Sequence, residues 1–397
     1  MATVSLIHET PVMSRPFVFI LATLCALAVA NIYYAQPLLF LINNSLPGSA
    51  GDTSLISTVV QLAYAAGLVF FVPVGDLMNR RKLLIFLLGC NALGSAWAAY
   101  AGNFTLLIGA NVLIGLTAVS AQIILPAAST WSSEADRGRT MGTLLSGLFA
   151  GVLFGRALAG FVGDHWGWRA MYSLAALIDV GLLAVVFTYF PNNRPNAQLS
   201  YGRLLTSLWD LLVSQPVLRK ACVAGALMFG AFSALWGALA SLLAQQPFGY
   251  SSEIVGLFGF TGLAGMFASP KIGMLADRIG ATRVVGLGAL AISLGFGLIA
   301  LAGHGLWLLI PGMLLLDIGS RSGLLGNQLR IYTLAPAMRS RLNTAFMCAY
   351  FLGGAVGTRL GGIIALDAGW TSLAALGASL AVIAGLSTLG SQKHQSS

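Results

Sequence analysis

Five ionisable side chains lie inside long apolar stretches of this sequence: Arg156, Asp179, Asp317, Arg321 and Arg359. A charge at the centre of a membrane-spanning helix costs roughly 2.5 to 3.5 kcal/mol on insertion scales. Residues of this kind therefore face one another or a polar cavity. Asp317 precedes Arg321 by four residues, which is the order and spacing that favour an ion pair on one face of a helix.

Two interpretations of these charges are open. In the functional one, Asp317 titrates, while Arg321 and Arg156 compensate its charge or hold an anionic group of a substrate through paired N–H donors. In the structural one, the same charges fix the packing of their helices. Arg156 and Arg359 fit both interpretations, because an arginine beside glycines also donates to carbonyl groups at a helix break. For Asp179, which has apolar neighbours and no partner nearby in the sequence, we favour the structural interpretation.

Uncharged polar residues in the same stretches form a second set of candidates. The residues that we expect to line a cavity are Asn31, Tyr34, Gln61, Tyr64, Asn111 and Gln122. Each of them also fits a hydrogen bond between neighbouring helices. Large apolar residues that fit either packing or a cavity wall are Met228, Phe232, Trp236 and Phe258. Taken together, these residues favour a cavity wall, because a cavity for an amphipathic ligand is mostly apolar with a few placed polar groups.

The composition excludes a water-soluble protein. Of the 397 residues, 57% are apolar and 8% are charged, whereas a globular domain has about 25% charged residues. The mean hydropathy is +0.85. The apolar runs are long and rich in glycine, without the short alternating pattern of an outer-membrane barrel. The sequence therefore predicts an all-α integral membrane protein.

Patterns that would indicate an enzyme are missing from the sequence. The four histidines lie near the chain ends or in predicted loops, and no HExxH motif or phosphate-binding glycine loop is present. The four cysteines lie in apolar runs without the spacing of a metal site. We therefore expect no enzymatic activity, no cofactor, no metal site and an energy source other than ATP. A channel would carry a repeated pore element, which the sequence also lacks.

Apolar runs between charged or turn-rich breaks predict twelve membrane spans. Their predicted limits are 17–41, 54–74, 83–101, 104–130, 140–162, 170–190, 219–244, 253–275, 282–301, 305–333, 341–364 and 368–390. With both termini in the cytoplasm, Arg169 alone of the 21 Lys and Arg residues falls on the outer side, and Arg156, Arg321 and Arg359 fall within spans. The positive-inside rule therefore predicts cytoplasmic termini. The net charge of +9 then reflects membrane orientation, and we expect no binding of nucleic acid.

The two halves of the sequence resemble each other at an offset of about 202 residues. The matched positions are Gly151 with Gly353, Gly155 with Gly357, Gly160 with Gly362, Gly167-Trp168 with Gly369-Trp370, and Asp76 with Asp277. Parallel repeats of this kind place a substrate site between the halves near the midplane of the bilayer. We therefore predict a six-helix half (1–190), a cytoplasmic linker (191–218) and a second six-helix half (219–397) around a central cavity.

The clearest motif lies between predicted spans 8 and 9. It consists of Gly273, the pair Asp277-Arg278, Gly280 and Arg283. This spacing resembles the signature of the major facilitator superfamily, and the resemblance extends over essentially the whole chain. It implies a transporter that opens a central cavity alternately to either side of the membrane.

The first half carries a related segment after predicted span 2. Asp76 and the basic cluster Arg80-Arg81-Lys82 are present, but Val72 occupies the position of the first glycine. The resemblance implies a cytoplasmic gate in each half. In the first gate, Asp76 pairs with Arg80 or Arg81. In the second gate, Asp277 pairs with Arg278 or Arg283. Such pairs would bridge helices in the outward-facing state.

Predicted span 5 resembles the motif of the drug:proton antiporter branch, with departures. Gly147, Gly151 and Gly155 keep the spacing that lets a neighbouring backbone come close, whereas Val152 replaces the proline and Arg156 the second glycine of that motif. In span 4, Asn111 stands where the branch carries a membrane-embedded arginine. The segments 31–37 and 327–332 resemble bacterial sugar and drug efflux permeases.

These resemblances imply a secondary active transporter that moves a small organic solute, with proton-coupled efflux as the expected mode. Uptake or exchange of an organic anion, held by the intramembrane arginines, is the alternative. The expected partners are a small-molecule substrate, protons or another coupling ion, and the lipid bilayer. We expect a monomer in the bacterial inner membrane.

Overall fold

The computed structural model describes residues 13–46, 53–133, 136–192, 200–246, 248–301, 305–334 and 338–389, and only the backbone of 366–368. In this part of the chain, twelve helices are long and apolar enough to cross a membrane, which confirms the predicted all-α architecture. Spans 1 to 12 are, in order, Arg15–Ser45, Ser54–Leu77, Arg80–Ala99, Phe104–Trp131, Arg137–Trp166, Trp168–Tyr189, Pro216–Ala244, Ser252–Ile279, Ala281–Ile299, Leu306–Tyr332, Arg339–Ala365 and Gly369–Thr388. Residues 193–199 of the predicted linker lie outside the described residues.

Short polar side chains begin two of the early spans. Asn79 precedes span 3, and its side-chain oxygen accepts hydrogen bonds from the amides of Arg81 at 3.0 Å and Lys82 at 3.3 Å. Asn103 precedes span 4 and accepts from the amide of Leu106 at 2.9 Å. These bonds satisfy first-turn amides that have no partner within the helix, so each span begins at a defined residue.

A glycine forms the turn between spans 5 and 6 and again between spans 11 and 12. Gly167 has a φ of 84° and Gly369 a φ of 65°, a region that side chains larger than hydrogen disfavour. The two glycines match each other in the internal repeat. The same chain reversal is therefore encoded by the same residue type in each half.

The glycine stripe of span 5 brings two backbones into contact. A Cβ atom added to Gly151 would lie 2.0 Å from the carbonyl oxygen of Ala26 in span 1, and one added to Gly353 would lie 2.1 Å from that of Ala226 in span 7. No side chain fits in either place. The close approach predicted for span 5 is confirmed, and the repeat places span 11 on span 7 in the same way.

Span 1 is interrupted at residues 31–34, between the helices Arg15–Ala30 and Ala35–Ser45. Around the interruption, amides bond to carbonyl oxygens three residues earlier instead of four. Pro37 explains the break, because it has no N–H to donate to the carbonyl of Tyr33, four residues before it. The side chains on either side of the break consequently reach different neighbours.

A helix that the sequence analysis did not anticipate lies within the predicted linker, at Tyr201–Ser214. Leu204, Leu208 and Leu211 share one face and are buried, and the helix packs on span 7 and on the segment Arg339–Leu389 that contains the last two spans. The polar residues earlier in the linker obscured this short amphipathic pattern. The connection between the halves is therefore partly structured.

Candidate functional site

Arg156 lies in span 5, where the two halves of the molecule meet. Its side chain is 2% exposed, and its Nε donates a hydrogen bond to Oε1 of Gln36 at 2.8 Å. The guanidinium carbon is 3.8 Å from the ring centre of Trp236 in span 7 and 4.7 Å from that of Tyr33 in span 1. Arg156 is thus held by its own half on one side and by the second half on the other.

One nitrogen of this guanidinium has no acceptor. Nη2 of Arg156 is buried and has no hydrogen-bond partner among the described residues. A buried donor without a partner is unfavourable, and more so when it carries charge. Guanidinium groups bind carboxylate and phosphate oxygens through paired N–H donors. The site therefore has the chemistry to receive an oxygen of an anionic ligand.

Asp317 and Arg321 lie in span 10, close to Arg156. Asp317 is 4% exposed, and one of its oxygens accepts a hydrogen bond from the hydroxyl of Thr261 in span 8 at 3.2 Å. The carboxylate interacts electrostatically with both Arg321 and Arg156. This cluster contains two arginines and one aspartate, so it carries a surplus of positive charge.

The direct pair expected between Asp317 and Arg321 does not form. The two side chains have no ion-pair contact within 4.0 Å. Instead, the guanidinium carbon of Arg321 lies 3.9 Å from the ring centre of Phe149 in span 5, while Thr261 binds the carboxylate. Arg321 therefore stacks on Phe149 of the other half instead of pairing with Asp317 in its own helix. Its N–H donors make no ion pair with the Asp317 carboxylate.

A row of aromatic rings continues from this cluster across the boundary between the halves. Trp236 lies 6.4 Å from Phe232, which lies 5.9 Å from Phe229. The Phe229 ring is 5.4 Å from Phe351, and Phe351 is 4.4 Å from Tyr64 of the first half. Of the residues predicted as packing or cavity wall, Phe232 and Trp236 belong to this row, which provides the apolar side of a site whose polar side is the arginine cluster.

The sequence predicts that Asn111 lines the cavity, but its side chain makes its hydrogen bonds away from this cluster. Its amide donates to the carbonyl of Leu107 at 2.8 Å, and its oxygen accepts from the hydroxyl of Tyr172 in span 6 at 3.0 Å. Both polar atoms are therefore satisfied between spans 4 and 6. Asn111 thus joins spans 4 and 6 within the first half.

The remaining predicted polar residues include Asn31 and Tyr34, which lie at the break in span 1, and Gln122, which lies in span 4. Asn31 turns towards span 6, where its amide donates to Asp179 at 2.9 Å, while Tyr34 packs against Gly155 of span 5. Gln122 is partly buried in span 4 and lies beside the hydroxyl of Tyr64. Asn31 and Tyr34 both lie beside the carboxyl group of Asp179, although the helix is not continuous between them.

Arg359 lies in span 11, outside the Arg156 cluster. It is partly exposed and follows Thr358, whose hydroxyl accepts a hydrogen bond from Gln61 of span 2 at 2.8 Å. This contact joins the two halves.

Two helix pairs close the boundary between the halves at the end of the bundle where span 2 begins and span 5 ends; we call it the closed end. A Cβ atom added to Gly160 in span 5 would lie 2.3 Å from the carbonyl oxygen of Ser252 in span 8. Near it, Nδ1 of His165 lies 4.0 Å from a carboxylate oxygen of Glu253. Spans 2 and 11 meet in the same way, since a Cβ atom on Gly362 would lie 2.2 Å from that of Ser54.

The opposite end, which carries the two predicted gates, is called the basic end here. Arg80 pairs with Asp76 at 3.3 Å, within the first half, and Arg81 donates to the carbonyl oxygen of Phe187 in span 6. The residues of the second gate, Asp277, Arg278 and Arg283, are exposed.

The two helices of span 1 show where the halves separate. Its first helix, at the basic end, packs on spans 4, 5 and 6 of its own half. Its second helix packs on span 5 of its own half and also on spans 7 and 8 of the other half. The described conformation is therefore joined at the closed end and parted at the basic end.

Several residues of the cluster were not identified from the sequence. In the sequence, Tyr33 and Gln36 are polar residues three positions apart beside Pro37. This combination indicates a helix break with both side chains on the same face. Phe149 and Thr261 gave no such signal, since an aromatic residue and a threonine are ordinary in apolar helices. Their roles depend on contacts between distant spans.

Fold and site together define a polytopic membrane protein with a charged, partly aromatic centre between two helical halves. The family model of the Major Facilitator Superfamily matches residues 18–326. The chain is 34% identical over 376 residues to "Uncharacterized transporter YgaY" of Escherichia coli O157:H7, covering 95% of each chain. It is 32% identical over 371 residues to "Probable transporter SCO4007" of Streptomyces coelicolor, covering 93% of this chain and 86% of that protein. The chain belongs to the major facilitator superfamily.

A more distant relative is "Inner membrane transport protein YnfM" of Escherichia coli, 24% identical over 256 residues, which are 63% of this chain and 61% of that protein. These relatives are named as transporters and carry no statement of substrate. The family membership confirms a multi-pass membrane transporter.

Proposed function

We propose that this protein is a secondary active transporter that exports a small organic anion across the bacterial inner membrane in exchange for protons. The observation that carries the proposal is the buried guanidinium of Arg156, which is stacked between the halves and has a donor without an acceptor. A ligand bound there touches both halves. Its binding and release are thereby linked to their relative movement, as alternating access requires.

The balance of charge supports an anionic substrate. Arg156 and Arg321 face one carboxylate, that of Asp317, and Arg321 is stacked on Phe149 and does not pair with Asp317. A substrate carboxylate or phosphate placed beside both guanidinium groups would neutralise the cluster through charge-assisted hydrogen bonds. Asp317 serves as the counter-ion that keeps the empty site from carrying two uncompensated charges.

The membrane potential supports export as the direction. Moving one elementary charge across the membrane is worth about 2.3 kcal/mol per 100 mV. In a cell with a negative interior, an anion that leaves and a proton that enters both move down the electrical potential. Uptake or exchange of the same anion would use the same arginines, and the experiment below separates these modes.

The basic residues support an inward-facing state for the described conformation. The basic end carries the excess of Lys and Arg that the positive-inside rule expects on the cytoplasmic side, so the closed end is the outer one. Labelling of a cysteine placed at Asn196, a residue outside the described part of the chain, tests this orientation. Reaction with a membrane-impermeant reagent only from the outside of intact cells would contradict it.

The substrate class is tested by comparing the metabolites retained by cells with and without the protein. We expect organic anions to accumulate in cells that lack it, and purified protein in vesicles to move them outward when protons flow inward. Replacement of Arg156 by Gln should abolish this transport. The matched control is Arg169→Gln, because Arg169 also stacks on a tryptophan, Trp168, at 4.2 Å but lies away from the cluster. Selective retention of cations or neutral solutes would contradict the proposal.

A further inference from the structure

Asp179, at the middle of span 6, is a buried carboxyl group that the arginine cluster does not use. It is 0% exposed, and one oxygen accepts a hydrogen bond from the side-chain amide of Asn31 at 2.9 Å. The other oxygen, Oδ2, has no hydrogen-bond partner among the described residues. No lysine or arginine of the described residues lies within ion-pair distance of it. An ionised carboxylate in this place would lack a compensating cation.

The side-chain oxygen of Asn31 is also buried and without a hydrogen-bond partner. Two acceptors on a pair of side chains that already share one hydrogen bond are thus both unsatisfied. A single proton on Oδ2 of Asp179 removes the mismatch, because a carboxylic acid supplies an O–H donor and an amide oxygen accepts it. The neutral acid and the amide then form two reciprocal hydrogen bonds.

The neighbours of Asp179 are consistent with a site for a proton. Span 6 packs on spans 1, 3 and 5. Tyr34 of span 1 lies beside the carboxyl, and the hydroxyl of Ser95 in span 3, a hydrogen-bond donor, faces it. Neither residue carries a positive charge. The cation of span 5, Arg156, is held by Gln36, Tyr33 and Trp236 instead. By contrast, Asp317 has two arginines, Arg321 and Arg156, as electrostatic partners.

We propose that Asp179 is the proton-binding site of this transporter and that it is protonated in the described conformation, in a reciprocal pair with Asn31. The proposal rests on the proposed exchange for protons. The step is a simple dissociation: the O–H bond of the acid breaks, the proton leaves to water, and the carboxylate remains. Since the carboxyl is fully buried here, release requires the movement of span 1 that accompanies alternation.

The break in span 1 connects this site with the arginine cluster. Asn31 is the first residue of the interruption at 31–34. Tyr33 within the interruption and Gln36 just after it hold Arg156. Loss of the proton removes the donor to Asn31 and leaves a charge that must reach water or a cation. Because only a few residues separate Asn31 from Tyr33 and Gln36, a movement of Asn31 also moves the residues that hold Arg156, the proposed substrate-binding group.

Infrared spectroscopy of the purified protein in lipid vesicles tests the site without a substrate. A protonated carboxylic acid has a carbonyl stretching band that a carboxylate lacks. We expect this band in the parent protein, its loss in Asp179→Asn, its retention in Asp317→Asn, a shift in Asn31→Leu, and its reversible disappearance in alkaline buffer while the protein stays folded. Asp179→Glu should show a shifted band, which covers the case in which Asp179→Asn fails to fold.

Three results would overturn the proposal. They are a band that survives Asp179→Asn, absence of the band from the parent at every pH, and a band that persists unchanged throughout the pH range of the folded protein. The last would make Asp179 a permanently neutral packing residue. A substrate that proves not to be an anion would leave these spectra unchanged, so failure of the proposed function is distinguishable.

Discussion

At the scale of single residues, the charges in the apolar spans differ in what surrounds them. Arg156 lies between aromatic rings of two spans, Asp317 lies near two arginines, and Asp179 has an amide for its partner. The same cost of burial is thus offset in three ways: by stacking, by opposite charge and by neutralisation. A substitution at each of these residues therefore removes a different interaction.

Arg156→Lys tests whether the planar guanidinium matters beyond its charge. A lysine keeps the positive charge but cannot both donate to Gln36 and stack on Trp236 while offering a second donor edge. Loss of a charge-assisted hydrogen bond is worth about 1.5 to 3 kcal/mol, so we expect binding of an anionic substrate to weaken roughly tenfold to hundredfold. Equilibrium binding to the purified protein measures this. Parent-like affinity would show that charge alone suffices.

Asp317→Asn and Arg321→Ala test the counter-ion role. The first variant leaves two arginines uncompensated, so we expect tighter retention of the anion, slower release and a lower transport rate. The second should weaken substrate binding. The double variant should be more stable to thermal unfolding than the less stable single variant, since no orphan charge remains. Full gradient-driven transport by well-expressed Asp317→Asn would contradict the role of this residue in the cycle.

At the scale of elements, the sequence predicted the spans but not their interruptions. Hydropathy and glycine spacing located the twelve helices and the close contact at Gly151, because both depend on local composition. The interruption at 31–34 and the helix Tyr201–Ser214 were missed, since each depends on a few residues within a stretch dominated by another signal. The site was predicted as a set of charges without their partners: Arg156 and Gln36 are 120 positions apart and meet only through packing.

Gly151→Ala tests the close contact between spans 5 and 1. The added methyl group would lie 2.0 Å from the carbonyl oxygen of Ala26, and overpacking of this kind typically costs about 1 to 3 kcal/mol. We expect a lower midpoint of thermal unfolding in detergent. Gly142→Ala, in the same span, is the matched control, because a Cβ atom there meets nothing within 4 Å. Equal effects of the two substitutions would contradict the assigned contact.

Pro37→Ala tests the interruption of span 1. The alanine supplies an N–H for the carbonyl of Tyr33, so the helix can continue and Gln36 is expected to turn away from Arg156. The protein should stay folded while its maximal transport rate falls. Pro16→Ala provides the control, because Pro16 is in the first turn of span 1, where the missing N–H has no helical partner to lose. A parent-like rate in Pro37→Ala would show that the break is dispensable.

At the scale of the whole molecule, equivalent positions of the internal repeat have different roles in the two halves. Arg156 and Thr358 are equivalent positions, about 202 residues apart, and each follows a glycine that lets span 5 or span 11 approach its neighbour. Both reach into the other half: Arg156 to Trp236 and Thr358 to Gln61. One position has become part of a charged site and its counterpart part of a neutral contact, so the two-fold architecture carries a single polar centre.

The contact between Gln61 and Thr358 should help to decide which end of the molecule is closed. Thr358→Val leaves the Gln61 amide buried without its partner in the described state, and hydrogen bonds between membrane helices are worth about 0.6 to 1.7 kcal/mol. The ratio of closed-end to basic-end conformers should therefore fall about threefold to twentyfold. Removing both polar groups, with Gln61→Leu added, should restore part of the balance, because no buried donor remains unsatisfied.

Spin labels on cysteines placed at Gly138 and Ser340 measure this balance, since both positions are exposed at the basic end, one in each half. The distance between them should shorten in a larger fraction of Thr358→Val molecules than of the parent. Thr344→Val is the matched control in span 11, because the hydroxyl of Thr344 bonds to the carbonyl of Ser340 in its own helix. Identical distance distributions in parent and Thr358→Val would mean that the closed end is held by backbone packing of the glycines alone, and that the polar contact between the halves follows the conformational change without biasing it.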